Sequence, residues 1–206
     1  VSPGYRMADV SEWLKSWRKN FSKDRVELTI RMAELYKSTH VPALVGVGYL
    51  ASGRKHNYPK SKLRLMPDWY SDTAGSQYYS ERKSVRKSAR IAFPKMLKTI
   101  KKLHAAGVPI MVGTDSPVDK VVPGASLHDE LALLVQAGLT PEQALASATC
   151  VAAKTIGIEG LGELKEGAPA DLLLLSDDPT KDLENLKSLE EVIVQGRTYT
   201  ARKLTL

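Results

Sequence analysis

One cysteine, Cys150, occurs in 206 residues. A lone cysteine excludes an internal disulfide and a cysteine-cluster zinc site, and its place in a helical pattern makes burial its default. No apolar run approaches the ~20 residues of a membrane-spanning helix, so no membrane partner is expected. The four histidines, His40, His56, His104 and His128, form neither an H-x-H nor an H-E-x-x-H pair. A G-x-S-x-G elbow is missing, which removes the usual serine nucleophile. So are the G-x-G-x-x-G and G-x-x-x-x-G-K phosphate loops. There is no internal repeat, no low-complexity tract and no secretory signal, and the compartment stays open. The sequence opens on Val1 with no Met, and a removed or never-included N-terminal portion is expected.

What is present is ordinary for a globular chain, with 43% hydrophobic and 26% charged residues. The charge is uneven. Residues 1–110 hold 22 Lys and Arg against 8 Asp and Glu, a net of +14, whereas residues 111–206 hold 8 against 15, a net of −7. A basic half admits nucleic acid as partner. Here the basic residues alternate with apolar ones at helical spacing, and the solvated helix face is the preferred reading.

In chain order, Ser11 to Lys19 and Lys23 to Ser38 read as helices, with Val26, Ile30, Ala33 and Tyr36 at helical spacing. Trp13 and Trp17, four apart, share a face suited to core packing. His40 to Val47 has a short buried-strand pattern, and Gly46 and Gly48 suggest close backbone approach at its end. Residues 51–80 lack a period and read as a long loop of the kind that shapes pockets, with His56, Tyr58, Trp69 and Tyr70 as candidate lining. Glu81 to Ala106 reads as a basic helix that Pro94 kinks or splits.

The stretch Val108-Pro109-Ile110-Met111-Val112-Gly113-Thr114-Asp115 is a short apolar run between turn signals, the mark of a strand buried on both faces. Asp115 closes it. A carboxylate at the C-terminal end of such a strand sits where α/β barrels place catalytic groups, although a turn or cap aspartate has the same spacing. A helix follows from Leu127 to Gln136, with Ser126 as its expected N-cap and Asp129 and Glu130 in its first turn. Thr140-Pro141-Glu142-Gln143 is a capping box with proline at the first helical position, opening a helix that extends towards Ile156. Residues 161–175 and Val192 to Tyr199 read as strands, with Ala170 to Leu175 buried.

Three segments together are specific: Gly107 to Asp115, Pro123 to Leu131 (PGASLHDEL) and Ala137 to Leu145 (AGLTPEQAL). They resemble the metal-dependent amidohydrolase superfamily, in its imidazolonepropionase-like and prolidase-like branch. Leu161 to Leu172 (LGELKEGAPADL) resembles the family's return from the barrel into a small β-sandwich, and Val192 to Arg197 its last strand. Met32 to Tyr49 more loosely resembles the helix and strand of the seventh barrel unit.

The resemblance implies an α/β fold: the C-terminal part of a (β/α)8 barrel over residues 1–158, with the seventh and eighth strand units and the 51–80 loop. A C-terminal β-sandwich segment would then occupy 159–206. It implies hydrolysis of a C–N bond in an amide, a cyclic amide or an Xaa-Pro-like dipeptide. Asp115 matches the family's eighth-strand Asp, which implies a divalent-metal ligand, with zinc the expected metal, and a handler of the hydrolytic water's proton. The family's H-x-H pair, its fourth-strand Lys or Glu and its fifth- and sixth-strand histidines have no counterpart here. The expected partner is therefore the missing N-terminal half of the barrel, from the same precursor or another chain, alongside a small amide or dipeptide substrate. His128, Tyr49 and Arg54 are the candidate substrate-pocket residues. Arg54, Lys55, Lys60 and Arg64 are placed to attract a substrate carboxylate on charge alone. A catalytically incomplete binding fragment, self-associated as a homo-oligomer, is the rival from another class, with nucleic-acid binding by the basic half a third.

Overall fold

A computed structural model describes residues 7–53, 83–116, 121–158 and 160–201. The first part is helical: α1 Met7–Asn20, α2 Lys23–Leu35, α3 Leu44–Ser52, α4 Lys83–Ala105, α5 Ala125–Gln136, α6 Pro141–Ala148 and α7 Cys150–Thr155. A three-stranded antiparallel sheet closes the chain, β1 Leu172–Leu175, β2 Leu189–Val194 and β3 Arg197–Thr200, in the order β1-β2-β3. A 3-10 helix, Leu183–Ser188, leads into β2. Among the described residues, no helix is long and apolar enough to cross a membrane.

Helix α4 is the spine. Val85, Ala89, Ala92, Met96, Ile100 and Leu103 recur every three or four residues and are buried, so one stripe faces the core. Helices α1 and α3 lie along it, and Leu14, Leu44 and Val47 join its stripe in one cluster with Leu131, Leu134 and Ala144. Burying each Val, Leu, Ile or Met side chain of this cluster contributes about 1.5–3 kcal/mol. The helix runs unbroken through Pro94, whose exposed ring sits on the solvent side. The expected split does not occur, because packing along both flanks outweighs one lost backbone bond.

The run from Val41 to Val47 is corrected most. The strand-like part ends before Leu44, and Leu44–Ser52 is helix α3. An all-apolar run of this length fits either period, and α3 is buried against α4. The close approach expected at Gly48 is real but belongs to a helix: a Cβ there would lie 3.3 Å from the Phe93 ring. Trp17 packs against the core, whereas Trp13 is 47% exposed.

The strands expected over Val108 to Asp115 and at His40 are reduced, among the described residues, to a single bridge. His40 pairs with Ile110 in a parallel bridge. The Pro109 carbonyl accepts the His40 N–H at 2.9 Å, and the His40 carbonyl accepts the Met111 N–H at 3.0 Å. The Ser147 carbonyl takes the Val112 N–H at 3.1 Å, which docks the end of α6 on the same segment.

The capping box at α6 forms as expected: Thr140 Oγ1 accepts the Gln143 N–H and Gln143 Oε1 accepts the Thr140 N–H. The following helix is interrupted at Thr149, where α6 ends and α7 begins. Gly162 fits into this break, since a Cβ there would lie 2.5 Å from the Thr149 backbone. Residues 161–169 contain no strand, and β1 is half-buried at its ends and exposed at Leu173 and Leu174, so neither the longer strand nor its burial holds. The β2–β3 turn has positive φ at both Gln195 and Gly196, 49° and 76°, as a type I′ hairpin requires.

Candidate functional site

Asp115 ends the segment that begins at Val108. Val108 and Ile110 are buried, and Gly113 lies so close to the neighbouring segment that a Cβ would meet Val41 Cγ1 at 2.5 Å. The backbone turns at Asp115 itself, which has φ of 55° and is exposed. Aspartate tolerates this left-handed conformation better than most residues, at a cost of about 1 kcal/mol. Beyond it, Ser116 Oγ donates to the Val121 carbonyl at 2.9 Å, which ties the two ends of the loop together. The result is an exposed carboxylate at the end of a fixed segment, open to water.

Helix α5 differs from its expected start. It begins at Ala125 behind Gly124, which has φ of 74° and supplies no side-chain cap. Ser126 is inside the helix and fully buried, and among the described residues its Oγ has no hydrogen-bond partner. The first turn therefore contains no acid, and Asp129 and Glu130 serve other helices.

Glu130 is the residue that sequence reasoning misplaced. It is fully buried, and its two oxygens each accept one backbone N–H from α3: Leu44 to Oε1 at 2.8 Å and Val45 to Oε2 at 2.7 Å. Helix α3 needs this. Its N-cap residue, Ala43, is left-handed at φ 45° and ψ 52° and offers no side-chain acceptor. Two of the orphan donors of a helix's first turn are thus satisfied by a carboxylate from 85 and 86 residues away. Burial pushes the Glu130 carboxyl up to about 7, against the opposing pull of the two N–H groups. Only the proximity of an E in the LHDEL segment to an uncapped apolar helix signals this, and the sequence does not reveal that proximity.

Tyr49, on α3, donates its hydroxyl to Asp129 Oδ2 at 2.5 Å. This makes Tyr49 a link between α3 and α5. His128 is exposed on α5, beside Asp129. Asp115 takes no part in the Tyr49–Asp129 bond. Arg54, Lys55, His56, Tyr58, Lys60, Arg64, Trp69 and Tyr70 lie outside the described residues. His40 is half-buried, and that desolvation lowers its pKa.

A divalent cation needs several converging donors. Among the described residues, no three His, Cys, Asp or Glu side chains converge in that way. Asp115 offers one carboxylate, and the described residues do not make a complete site.

Comparison with known proteins bears on the same segment. The amidohydrolase family model matches residues 27–199. Ochratoxinase from Aspergillus niger is 34% identical over 91 residues, which are 43% of this chain and 18% of that protein. The structure of a putative prolidase from Bifidobacterium longum superposes with a TM-score of 0.51 and 32% identity, over 61% of this chain and 31% of that one. A Xaa-Pro dipeptidase with bound methionine in its active site gives a TM-score of 0.60 at 22% identity, over 97% of this chain and 50% of that one, a likeness of fold. The chain spans 24% or less of the length of the curated relatives it matches.

Proposed function

The chain belongs to the amidohydrolase family, and from that premise we propose that it is part of a hydrolase that cleaves C–N bonds in amides, cyclic amides or Xaa-Pro-like dipeptides. The observation that carries this reading is Asp115: an exposed carboxylate at the end of a segment held in parallel register with His40, inside the matched region. The likeness to a putative prolidase and to ochratoxinase supports the amide-type substrate class.

The chemistry follows from the carboxylate. Water attacks the carbonyl carbon, the C–N bond breaks, and the nitrogen leaves with a proton. Asp115 accepts the proton released by the attacking water, a role worth about 10²–10⁴ in rate for a well-placed general base. Asp115 is also this chain's donor to a divalent cation, zinc in the first instance. The remaining ligands and the rest of a (β/α)8 barrel come from polypeptide beyond the matched portion, in keeping with the 24% or less of each curated relative that the chain spans. In this reading residues 159–206, with β1, β2 and β3, form a segment of the sandwich that accompanies the barrel.

The test is hydrolysis of a panel of N-acyl amino acids, cyclic amides and Xaa-Pro dipeptides by the purified protein with any chain that accompanies it. Turnover that falls at least ~100-fold in Asp115→Asn, with an unchanged circular dichroism spectrum, supports the assignment. Turnover untouched by the substitution overturns it.

A further inference from the structure

The buried carboxylate of Glu130 takes no part in the chemistry above, yet it stands at a junction. Its two oxygens hold the first two N–H groups of α3. Immediately before α3 comes the segment His40 to Ala43. That segment is bound to Pro109 and Met111 by backbone hydrogen bonds, and its Val41 side chain lies against Gly113. Gly113 is two residues from Asp115. Glu130 also belongs to α5, the helix that follows the loop after Asp115. One side chain therefore ties together the segments on either side of the proposed catalytic carboxylate.

We propose that Glu130 is a positioning residue for Asp115, acting through the His40–Ala43 segment. The proposal rests on the reading of Asp115 given above. Several features make the clamp specific. Each carboxylate oxygen accepts one N–H, so an amide in its place satisfies only one and turns an NH2 towards the other. Leucine or alanine satisfies neither. The residue is fully buried, so water does not replace the lost acceptor freely. Ala43 is left-handed and gives α3 no cap of its own, so no local side chain takes over. A shift at the start of α3 is passed through Ala43 and Pro42 to Val41, whose Cγ1 packs directly on the Gly113 backbone.

The experiment uses the full chain, labelled with ¹⁵N and ¹³C. Amide exchange at Leu44 and Val45 reports the clamp, and the Asp115 carboxyl ¹³C resonance reports its consequence. Glu130→Gln is expected to raise exchange at one of the two amides about tenfold and to move the Asp115 resonance. Leu139→Ala, a change at another buried position, is expected to leave that resonance in place. Glu130→Asp, which keeps the charge on a shorter stem, is expected to move it less than Glu130→Gln does, and it replaces that variant if the amide fails to fold. Faster exchange with an unmoved Asp115 resonance would make Glu130 a helix cap and nothing more. Unchanged exchange at both amides would remove the clamp itself. Hydrolysis plays no part in either readout, so failure of the hydrolase reading and failure of this inference are told apart.

Discussion

The charge state of Glu130 gives the sharpest stability prediction. Its carboxyl is raised from the ordinary 4.5 to about 7 because burial disfavours the ion more than the Leu44 and Val45 N–H groups favour it. A folded pKa above the unfolded one means that the native state holds a proton the unfolded chain has released. Stability contributed by that proton is present in full below about pH 4.5 and is lost as pH rises through about 7. At 1.36 kcal/mol per unit, the difference amounts to about 3 kcal/mol. His40 acts in the opposite sense: its lowered pKa means that folding weakens as falling pH forces a proton onto it. The two must be separated. Urea unfolding of the wild type and of Glu130→Gln between pH 4.5 and 8.5 does so, since His40 titrates in both. The variant is expected to gain stability relative to the wild type as pH rises, by up to about 3 kcal/mol. A difference that stays flat to within about 0.5 kcal/mol would refute the reasoning, because the two N–H bonds would then fully offset the burial.

Three further substitutions test the packing and the caps. Thr140→Ala removes half of the capping box at α6 and is expected to cost about 1 kcal/mol in chemical unfolding. Leu103→Ala empties a fully buried position on α4 and should cost about 2–5 kcal/mol, with a matching fall in Tm. Gly162→Ala meets the Thr149 backbone at a residue with φ of 74°, and a loss of more than about 1 kcal/mol is expected. An unchanged Tm in that variant would mean that the 160–163 turn is not seated in the break between α6 and α7.

Local chemistry was readable in the sequence wherever a motif closes on itself. The Thr140–Gln143 box spans four residues and formed as written. Glu81 to Ala106 read as a helix from apolar positions that include Val85, Met96, Ile100 and Leu103, and tertiary packing carried α4 past Pro94. The misreadings share a different cause. Val41 to Val47 carries no polar residue to mark a period, so only its neighbours decide between strand and helix, and α4 decided for helix. Leu173 and Leu174 look like core, yet no described element covers them. Glu130 reads as a charge on its own helix, because its true partners are some 85 residues upstream. Asp115 was visible as a carboxylate ending an apolar run, but its left-handed backbone was not, since aspartate gives no warning of it. The pocket candidates divided accordingly: Tyr49 is bonded to Asp129, His128 stands exposed beside it, and Arg54 falls outside the described residues.

In the proposed reading, Asp115 belongs to a divalent-metal hydrolytic site completed by polypeptide beyond the matched portion. Elemental analysis of the purified protein, with intact mass on the same sample, tests it most directly. Near-stoichiometric zinc or another divalent metal is expected, accompanied by mass for further polypeptide, with loss of that metal in Asp115→Asn. Metal content that is negligible, or that is unchanged by Asp115→Asn, would contradict it.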